Sequence, residues 1–364
     1  MSLQCGIIGI TNVGKSTIFN CMSKTKAETS SFSFGSKTNL SIINVPDERL
    51  KELNKYQETE RIVHATVEIV DIPGLTKSSG RADKGANQFL ADIRNCDALI
   101  HVLRCFDDAN LPHVDGSVNP VRDIETVNLE LQIKDLESVE KKIAKLEKLV
   151  KVGDKDAKHG LEVLNKYKEH LESFQNASSA PVSEEDKKYV ADLFLISTKP
   201  IIYVCNVDEA SALNGNAYVE QVREYLKDEP TEILIIAGKI EADIAELDEE
   251  EDRKEFLKEV GLLEPGVNKL IRAAYSLLDL ETFFTVGPKE IRAWTIKRGV
   301  TASKAAGVIH SDLERGFIRA EVMKYDDFVT LGSEHACKEK GKLSVEGKNY
   351  IVQDGDILHI RFNV

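Results

Sequence analysis

The first residues able to do chemistry are Gly9-Ile-Thr-Asn-Val-Gly14-Lys15-Ser16, which satisfy G-x-x-x-x-G-K-S/T in full. In this pattern the glycines let backbone N–H groups converge on phosphate oxygens, and the following helix adds its positive end. Lys15 is expected to reach the β- and γ-phosphates, and the Ser16 hydroxyl to hold Mg2+. Asn12, Val13, Gly14, Lys15, Ser16 and Thr17 are the phosphate-binding residues this predicts. Downstream, Val67-Glu-Ile-Val-Asp71-Ile-Pro-Gly74 reads as a strand ending in D-x-x-G. Asp71 at the strand tip is placed as the second Mg2+ anchor, normally through water, and the Gly74 N–H as a γ-phosphate contact. D-x-x-G alone carries no information. At this distance after a P-loop it points to a nucleoside triphosphate.

Such residues need a sheet to hold them. Strand-like runs at Leu3–Ile10, Ala65–Val70, Ala98–Leu103, Ile201–Cys205 and Ile233–Ala237 alternate with helical stretches, the first helix running from Thr17 to Ser23. That alternation predicts a parallel sheet covered on both faces. Between the two halves, apolar residues fall at Leu129, Ile133, Leu136, Val139, Ile143, Leu146 and Leu149. After the polar break Gly153–Ala157 they resume at Leu161, Leu164, Tyr167, Leu171 and Phe174. Spacings of three and four predict two antiparallel amphipathic helices. A narrow stripe flanked by Lys and Glu favours a projecting coiled-coil arm over a pair packed on the domain.

From Leu280 the chain turns β-rich, with Thr282–Val286, Ile291–Ile296 and Asp356–Phe362, a hairpin turn at Glu346-Gly-Lys-Asn349, and one expected helix, Ala302–Ala306. The predicted organisation is a P-loop domain in two parts, 1–127 and 198–280, a helical insertion at 128–197, and a small α+β domain at 281–364.

Composition bounds the rest. A chain of 364 residues, 42% hydrophobic and 30% charged, is neither disordered nor collagen-like. Its strongest apolar runs, such as Ile233–Ala237, fall far short of the roughly 20 residues a bilayer needs. No membrane partner is expected, and the N-terminus lacks the basic start and cleavage site of a signal peptide. Six scattered cysteines without a CxxC pair argue against a disulfide framework or zinc site, and for a reducing, cytoplasmic compartment. A net charge of -13 excludes a whole-chain nucleic-acid coat. Residues 281–364, with 13 basic and 12 acidic side chains, are the better candidate for touching RNA. There Lys289, Arg292, Lys297, Arg298 and Lys304 gather near Trp294, a grouping that a solvated face explains about as well.

Further strings complete a family pattern: Asn87-Gln-Phe-Leu90, Arg104-Cys-Phe106, His113-Val-Asp-Gly116, Arg122-Asp-Ile-Glu125, Cys205-Asn-Val-Asp-Glu209, Lys239-Ile-Glu-Ala242, Arg292-Ala-Trp294, Gly316-Phe-Ile-Arg-Ala-Glu321 and Gln353-Asp-Gly-Asp356. With the P-loop and Asp71-Ile-Pro-Gly-Leu75, they make the chain resemble, over nearly its whole length, the YchF/Obg-like ATPases of the translation-factor P-loop class. The resemblance implies a GTPase-like α/β domain interrupted by a helical arm and closed by a ubiquitin-like β-grasp module, the TGS domain. It implies Mg2+-dependent hydrolysis of ATP as a conformational switch. It also implies a ribosomal partner, the large subunit, or an RNA, met through the arm and TGS domain, and a monomer.

Base choice falls to Asn206-Val-Asp-Glu209. Guanine readers use N-K-x-D, whose Asp accepts two hydrogen bonds from the base. Here Glu209 is one methylene longer, and Val207 replaces the Lys that lies along the base, so guanine readout should suffer. Asn206 is expected to pair with the N6/N7 edge of adenine. Asp208 is the alternative reader, though the spacing favours Glu209. Ala237, Gly238 and Lys239 complete the base-side set that the resemblance implies.

Where related GTPases place Gln after D-x-x-G, this chain has Leu75, and the resemblance points instead to a histidine on a mobile loop, matching His113. A neutral imidazole there would accept a hydrogen bond from the attacking water. Asn12 is similar to the asparagine of P-loop enzymes that bind K+ beside the phosphates, making K+ an optional second ion. The family's first switch differs here, reading Ser33-Phe-Gly-Ser-Lys-Thr-Asn-Leu-Ser41, so the switch hydroxyl on Mg2+ falls to Ser36, ahead of Thr38. Two alternatives stand beside the ATPase: a GTPase with degenerate base readout, and a nucleotide-gated binding scaffold with negligible turnover.

Overall fold

A computed structural model describes residues 3–24, 39–57, 59–74 and 84–363. Ser36, Thr38 and Leu75 lie outside the described residues. In chain order the strands are β1 (Gln4–Ile8), β2 (Asn39–Asn44), β3 (Arg61–Val63), β4 (Thr66–Asp71), β5 (Ala98–Cys105), β6 (Ile201–Val207), β7 (Ile233–Ile236), β8 (Leu280–Val286), β9 (Glu290–Lys297), β10 (Phe317–Lys324), β11 (Leu343–Glu346) and β12 (Asp356–Phe362). The helices are α1 (Lys15–Ser23), α2 (Glu48–Tyr56), α3 (Lys84–Asn95), α4 (Pro120–Lys151), α5 (Lys155–Glu172), α6 (Ala217–Tyr225), α7 (Gly238–Glu246), α8 (Glu250–Glu259), α9 (Gly266–Leu277), α10 (Ala302–Ile309), α11 (Ser311–Arg315), α12 (Tyr325–Leu331) and α13 (Glu334–Glu339). Among the described residues, no helix is long and apolar enough to cross a membrane.

The first sheet has the order β2-β4-β1-β5-β6-β7, and β1, β5, β6 and β7 pair in parallel. All eight residues of β5 are buried, which is why a near-continuous apolar run marks it: a central parallel strand meets helices on both faces. The P-loop fills the turn from β1 into α1.

Helix α4 starts at Pro120, well before the expected boundary at 128. Asn119 caps it, accepting from the Arg122 N–H, and Pro120 at N1 loses no hydrogen bond there. Its first turns pack on the α/β core, where Ile124 joins Leu103, Tyr203 and Val219. Beyond them Val139 packs with Val163, Leu164, Tyr167 and Leu171 in a second core. Both packings that the apolar stripe allows are therefore present, at opposite ends of one helix. The arm is also more than a helical pair. Short 3-10 turns between Ala177 and Thr198 wall its core, and the buried Asp135 carboxylate fixes them by accepting from the amides of Ile196 and Ser197 (2.8 Å each) and the Ser197 hydroxyl (2.6 Å).

Among the described residues, the second compact unit takes in 22–24, 41–68 except 58, and 268–363. Its sheet runs β11-β10-β12-β8-β9-β3. Counting β8 as the first strand of the C-terminal module gives the order 2-1-5-3-4, with β12 parallel to β8 and α10 crossing between β9 and β10. That is the β-grasp topology. Phe283, Ile296, Ala305, Val322 and Leu358 fill its core. Asp356 is fully buried but satisfied by Lys324 Nζ (2.6 Å), the Tyr350 hydroxyl (2.7 Å) and the Gln353 N–H (3.0 Å).

Three local expectations are corrected here. The hairpin at 346–349 does not form, because β11 pairs with β10 and the turn leads instead to Ile351, which bridges Thr301. Ala302–Ala306 is not the only helix: α11, α12 and α13 are present, and helices this short carry too few turns to show a period. Strand β3, counted with the P-loop segment above, pairs in parallel with β9.

Candidate nucleotide site

The P-loop backbone explains its residue types. Gly14 has φ +95, a conformation side chains resist, and a Cβ there would collide with the Asn206 amide. Asn12 takes the left-handed conformation (φ 64) that asparagine tolerates better than most residues. Lys15 is 7% exposed, and its Nζ donates to the Ile10 carbonyl at 2.6 Å. Burial pulls its pKa down to about 8, against the opposing pull of Asp71. Gly74 lies over the same ammonium: a Cβ there would sit 2.6 Å from Lys15 Nζ.

The Ser16 hydroxyl donates to Asp71 Oδ2 at 3.2 Å. Asp71 Oδ1 is buried with no hydrogen-bond partner, and burial raises the carboxyl's pKa, with Ser16 and Lys15 opposing. A hydroxyl beside an unsatisfied carboxylate oxygen is the hard-oxygen set that Mg2+ takes, so these residues fit the ion. Thus the structure brings Lys15, Ser16, Asp71 and Gly74 together as the spacing predicts.

At the base end several side chains also serve the protein's own structure. The Asn206 side chain is committed within the protein: Nδ2 donates to the Val13 carbonyl and Oδ1 accepts from the Gly238 N–H, each at 2.9 Å. It therefore ties the P-loop to the start of α7, while Nδ2 keeps a second hydrogen for the adenine edge expected there. The Val207 side chain, 3% exposed, packs with Leu103, Cys105 and Tyr203, so it does not take the place of the lysine that lies along the base in guanine readers. Ala237 belongs to the same cluster. The alternative reader, Asp208, caps the turn Glu209–Ser211 with one oxygen, Oδ1 accepting from the Ser211 N–H. Glu209 remains, half-exposed, with Oε1 2.5 Å from Lys239 Nζ. The hydrogen bond to Glu209 raises the Lys239 pKa.

His113, expected on a mobile loop, is held and buried. Its side chain is 3% exposed, Nδ1 accepts from the Asp115 N–H (3.1 Å), and Nε2 lies 3.2 Å from Asp123 Oδ2 in the first turn of α4. The loop before it is held by Arg104, whose buried guanidinium donates to the carbonyls of Phe106, Asp108 and Leu111 and stacks on the Phe106 ring. Thr17 is exposed on α1.

Comparison with known proteins decides the family. A family model described as "50S ribosome-binding GTPase" matches residues 4–166, and the YchF-GTPase_C model, described as "Protein of unknown function (DUF933)", matches residues 280–363. The chain is 47% identical to the "Ribosome-binding ATPase YchF" of Bacillus subtilis (strain 168), and 44% identical to the protein of that name from Haemophilus influenzae, covering 100% of both chains in each case. It is similar to the solved "Schizosaccharomyces pombe YchF GTPase", with 32% identity, a TM-score of 0.87, and 99% of this chain and 98% of that one covered. The chain belongs to the YchF family.

Within a YchF chain, motifs whose spacing alone suggests no role acquire one. Arg104-Cys-Phe106 supplies the loop clamp, and Arg122-Asp-Ile-Glu125 supplies Asp123. His101 is invisible to sequence reasoning. It lies fully buried beside the Gly9 turn and against the Tyr203 ring, where burial, with Lys15 adding to it, holds its pKa near 3. It stands in the middle of the apolar β5 run, where nothing in the spacing marks it.

Proposed function

We propose that the chain binds and hydrolyses ATP, giving ADP and phosphate, and uses the cycle as a conformational switch. The observation that carries this is the convergence of Lys15 Nζ, the Ser16 hydroxyl, the unsatisfied Asp71 oxygen and the Gly74 backbone beside one glycine-built turn. Lys15 and the amides of Val13, Gly14, Ser16 and Thr17 would take the phosphates, with Asn12 at the position for K+. Mg2+ would be held by Ser16, by Asp71 through water, and by Ser36; it supplies neutralisation of charge on the β- and γ-oxygens. Gly74 N–H would meet the γ-phosphate, and His113 would orient the attacking water once its ring is freed.

Glu209 supports adenine over guanine. It stands at the spacing of the base-reading carboxylate, is half-exposed, and has its orientation fixed by Lys239, whereas Asp208 caps its own turn with one oxygen. The GTPase reading keeps two supports, since the fission yeast relative is named a GTPase and the family model matching residues 4–166 is described as one. Calorimetric titration of the full chain with ATP and GTP in Mg2+ tests the choice: tighter GTP would overturn it.

The same reading gives a ribosomal or RNA partner, preferably on the large subunit, and a cytoplasmic monomer; relatives are named ribosome-binding. All six cysteines are free and buried, which suits a reducing compartment. The best-supported contact is the far end of the arm. There Lys141, Lys145, Lys148, Lys151, Lys155 and Lys158 are exposed, and among the described residues none has a carboxylate within ion-pair distance. The TGS patch expected near Trp294 is weaker, because Arg298 pairs with Asp279 and Glu281 and Lys304 with Glu314. We also propose the division into a P-loop domain in two parts, 1–127 and 198–280, the insertion 128–197 and a TGS domain 281–364, with β3 added to the TGS sheet.

A further inference from the structure

The His113 ring has no nitrogen to spare. The Asp115 N–H donates to Nδ1, so the neutral ring carries its proton on Nε2, which faces Asp123 Oδ2 at 3.2 Å. A base that orients water must offer an unprotonated, accessible nitrogen, and here the unprotonated one is covered. The pair is also buried, with 3% of the His113 and 1% of the Asp123 side chain exposed. Arg122 Nε lies 3.4 Å from Asp115 and 3.9 Å from Asp123, so these carboxylates already face a cation. Asp123 Oδ1 makes no hydrogen bond. One oxygen of a buried carboxylate is thus spent on the imidazole while the other goes unsatisfied.

We propose that Asp123 is a positioning residue that holds His113 away from water, and that hydrolysis requires the pair to part. This rests on the reading of His113 as the water-orienting group. Arg104, anchoring three carbonyls upstream, fixes where the loop begins, so the freed segment is the short stretch between Leu111 and Asn119. A closed pair would hold the basal rate low, and opening it is a step on which a partner can act.

The test compares steady-state ATP turnover of the full chain with His113→Ala, Asp123→Ala, Asp123→Asn and the His113→Ala/Asp123→Ala double variant. Losing one charged hydrogen bond shifts the closed–open balance by about tenfold. Asp123→Ala should therefore raise kcat by about that factor with KM unchanged. Asp123→Asn, whose amide oxygen still accepts from Nε2–H, should raise it less, and the double variant should be as inactive as His113→Ala. If His113→Ala abolishes turnover but Asp123→Ala does not raise it, or raises it equally without His113, the positioning role is wrong and the reading of His113 stands. If His113→Ala leaves turnover intact, that reading fails and the positioning role falls with it. Carbethoxylation of His113 by diethyl pyrocarbonate gives an independent readout should Asp123→Ala fold poorly. Asp123→Asn should speed modification severalfold, and an unchanged rate would overturn the proposal.

Discussion

Asn206 joins Val13 to Gly238: one side-chain amide bonds both backbones at 2.9 Å, so the P-loop and the first turn of α7 are held in one frame. Asn206→Ala leaves a buried carbonyl and a buried N–H without partners, a cost of about 2 kcal/mol or more. Because the role is positional, ATP and GTP affinities should fall by similar factors, roughly tenfold to a hundredfold. Titration of both nucleotides checks this; a loss confined to ATP would mark Asn206 as the residue that selects adenine.

Lys15 should make nucleotide binding take up a proton. Its pKa is near 8 in the free protein, and triphosphate charge beside it favours the ammonium. Above pH 8 the free protein's lysine is largely neutral, so binding recruits a proton and affinity falls as pH rises. The same depression means the folded chain binds fewer protons than the unfolded one between pH 8 and 10.5, so this residue's contribution to folding stability rises with pH across that window. Calorimetry at pH 8.5 in buffers of different ionisation enthalpy reads the uptake directly. Lys15→Arg should abolish it.

Gly74→Ala should separate the site from the fold. The added methyl would lie 2.6 Å from Lys15 Nζ and 3.2 Å from the Thr11 N, so the ammonium must shift. We expect turnover to drop by at least about tenfold, with thermal stability within about 0.5 kcal/mol of the parent. Activity assays beside thermal melts check both halves.

Asp135→Asn should loosen the arm. Its carboxylate accepts from two amides and a hydroxyl, and an asparagine must turn an NH2 toward one of those donors. A loss of roughly 2–3 kcal/mol is expected, with faster amide exchange between Ala177 and Thr198.

Reversing Lys145 and Lys148 to Glu should weaken ribosome association and flatten its salt dependence. Removing a lysine that meets a phosphate lowers the slope of log affinity against log salt by about one. Sedimentation with ribosomes at several salt concentrations reads the slope, and an unchanged one would move the binding surface away from the arm tip.

The phosphate end of the site was legible in the sequence because its chemistry is local. Lys15, Ser16, Asp71 and Gly74 sit at fixed offsets from strand ends, and strand β1 could be read from its apolar run. The base end was legible only as a string. Whether Asn206 faces a ligand or its own P-loop depends on contacts between residues 193 positions apart, which no spacing encodes. The burial of His113 was not legible for the same reason: its partner Asp123 lies on a helix whose start the heptad-like stripe did not show. In the β-grasp module β8, β9 and β12 were readable, whereas short helices such as α13 were not, being shorter than two turns of amphipathic pattern.

Helix α4 has no glycine anywhere and no proline beyond its first position, so nothing in its 32 residues provides a hinge. At 1.5 Å per residue it is a rod about 48 Å long. Its two ends belong to different neighbourhoods: the first turn holds Asp123 against His113, and the last reaches Val152 at the arm tip, so one unbroken helix spans from the buried pair to the exposed lysines.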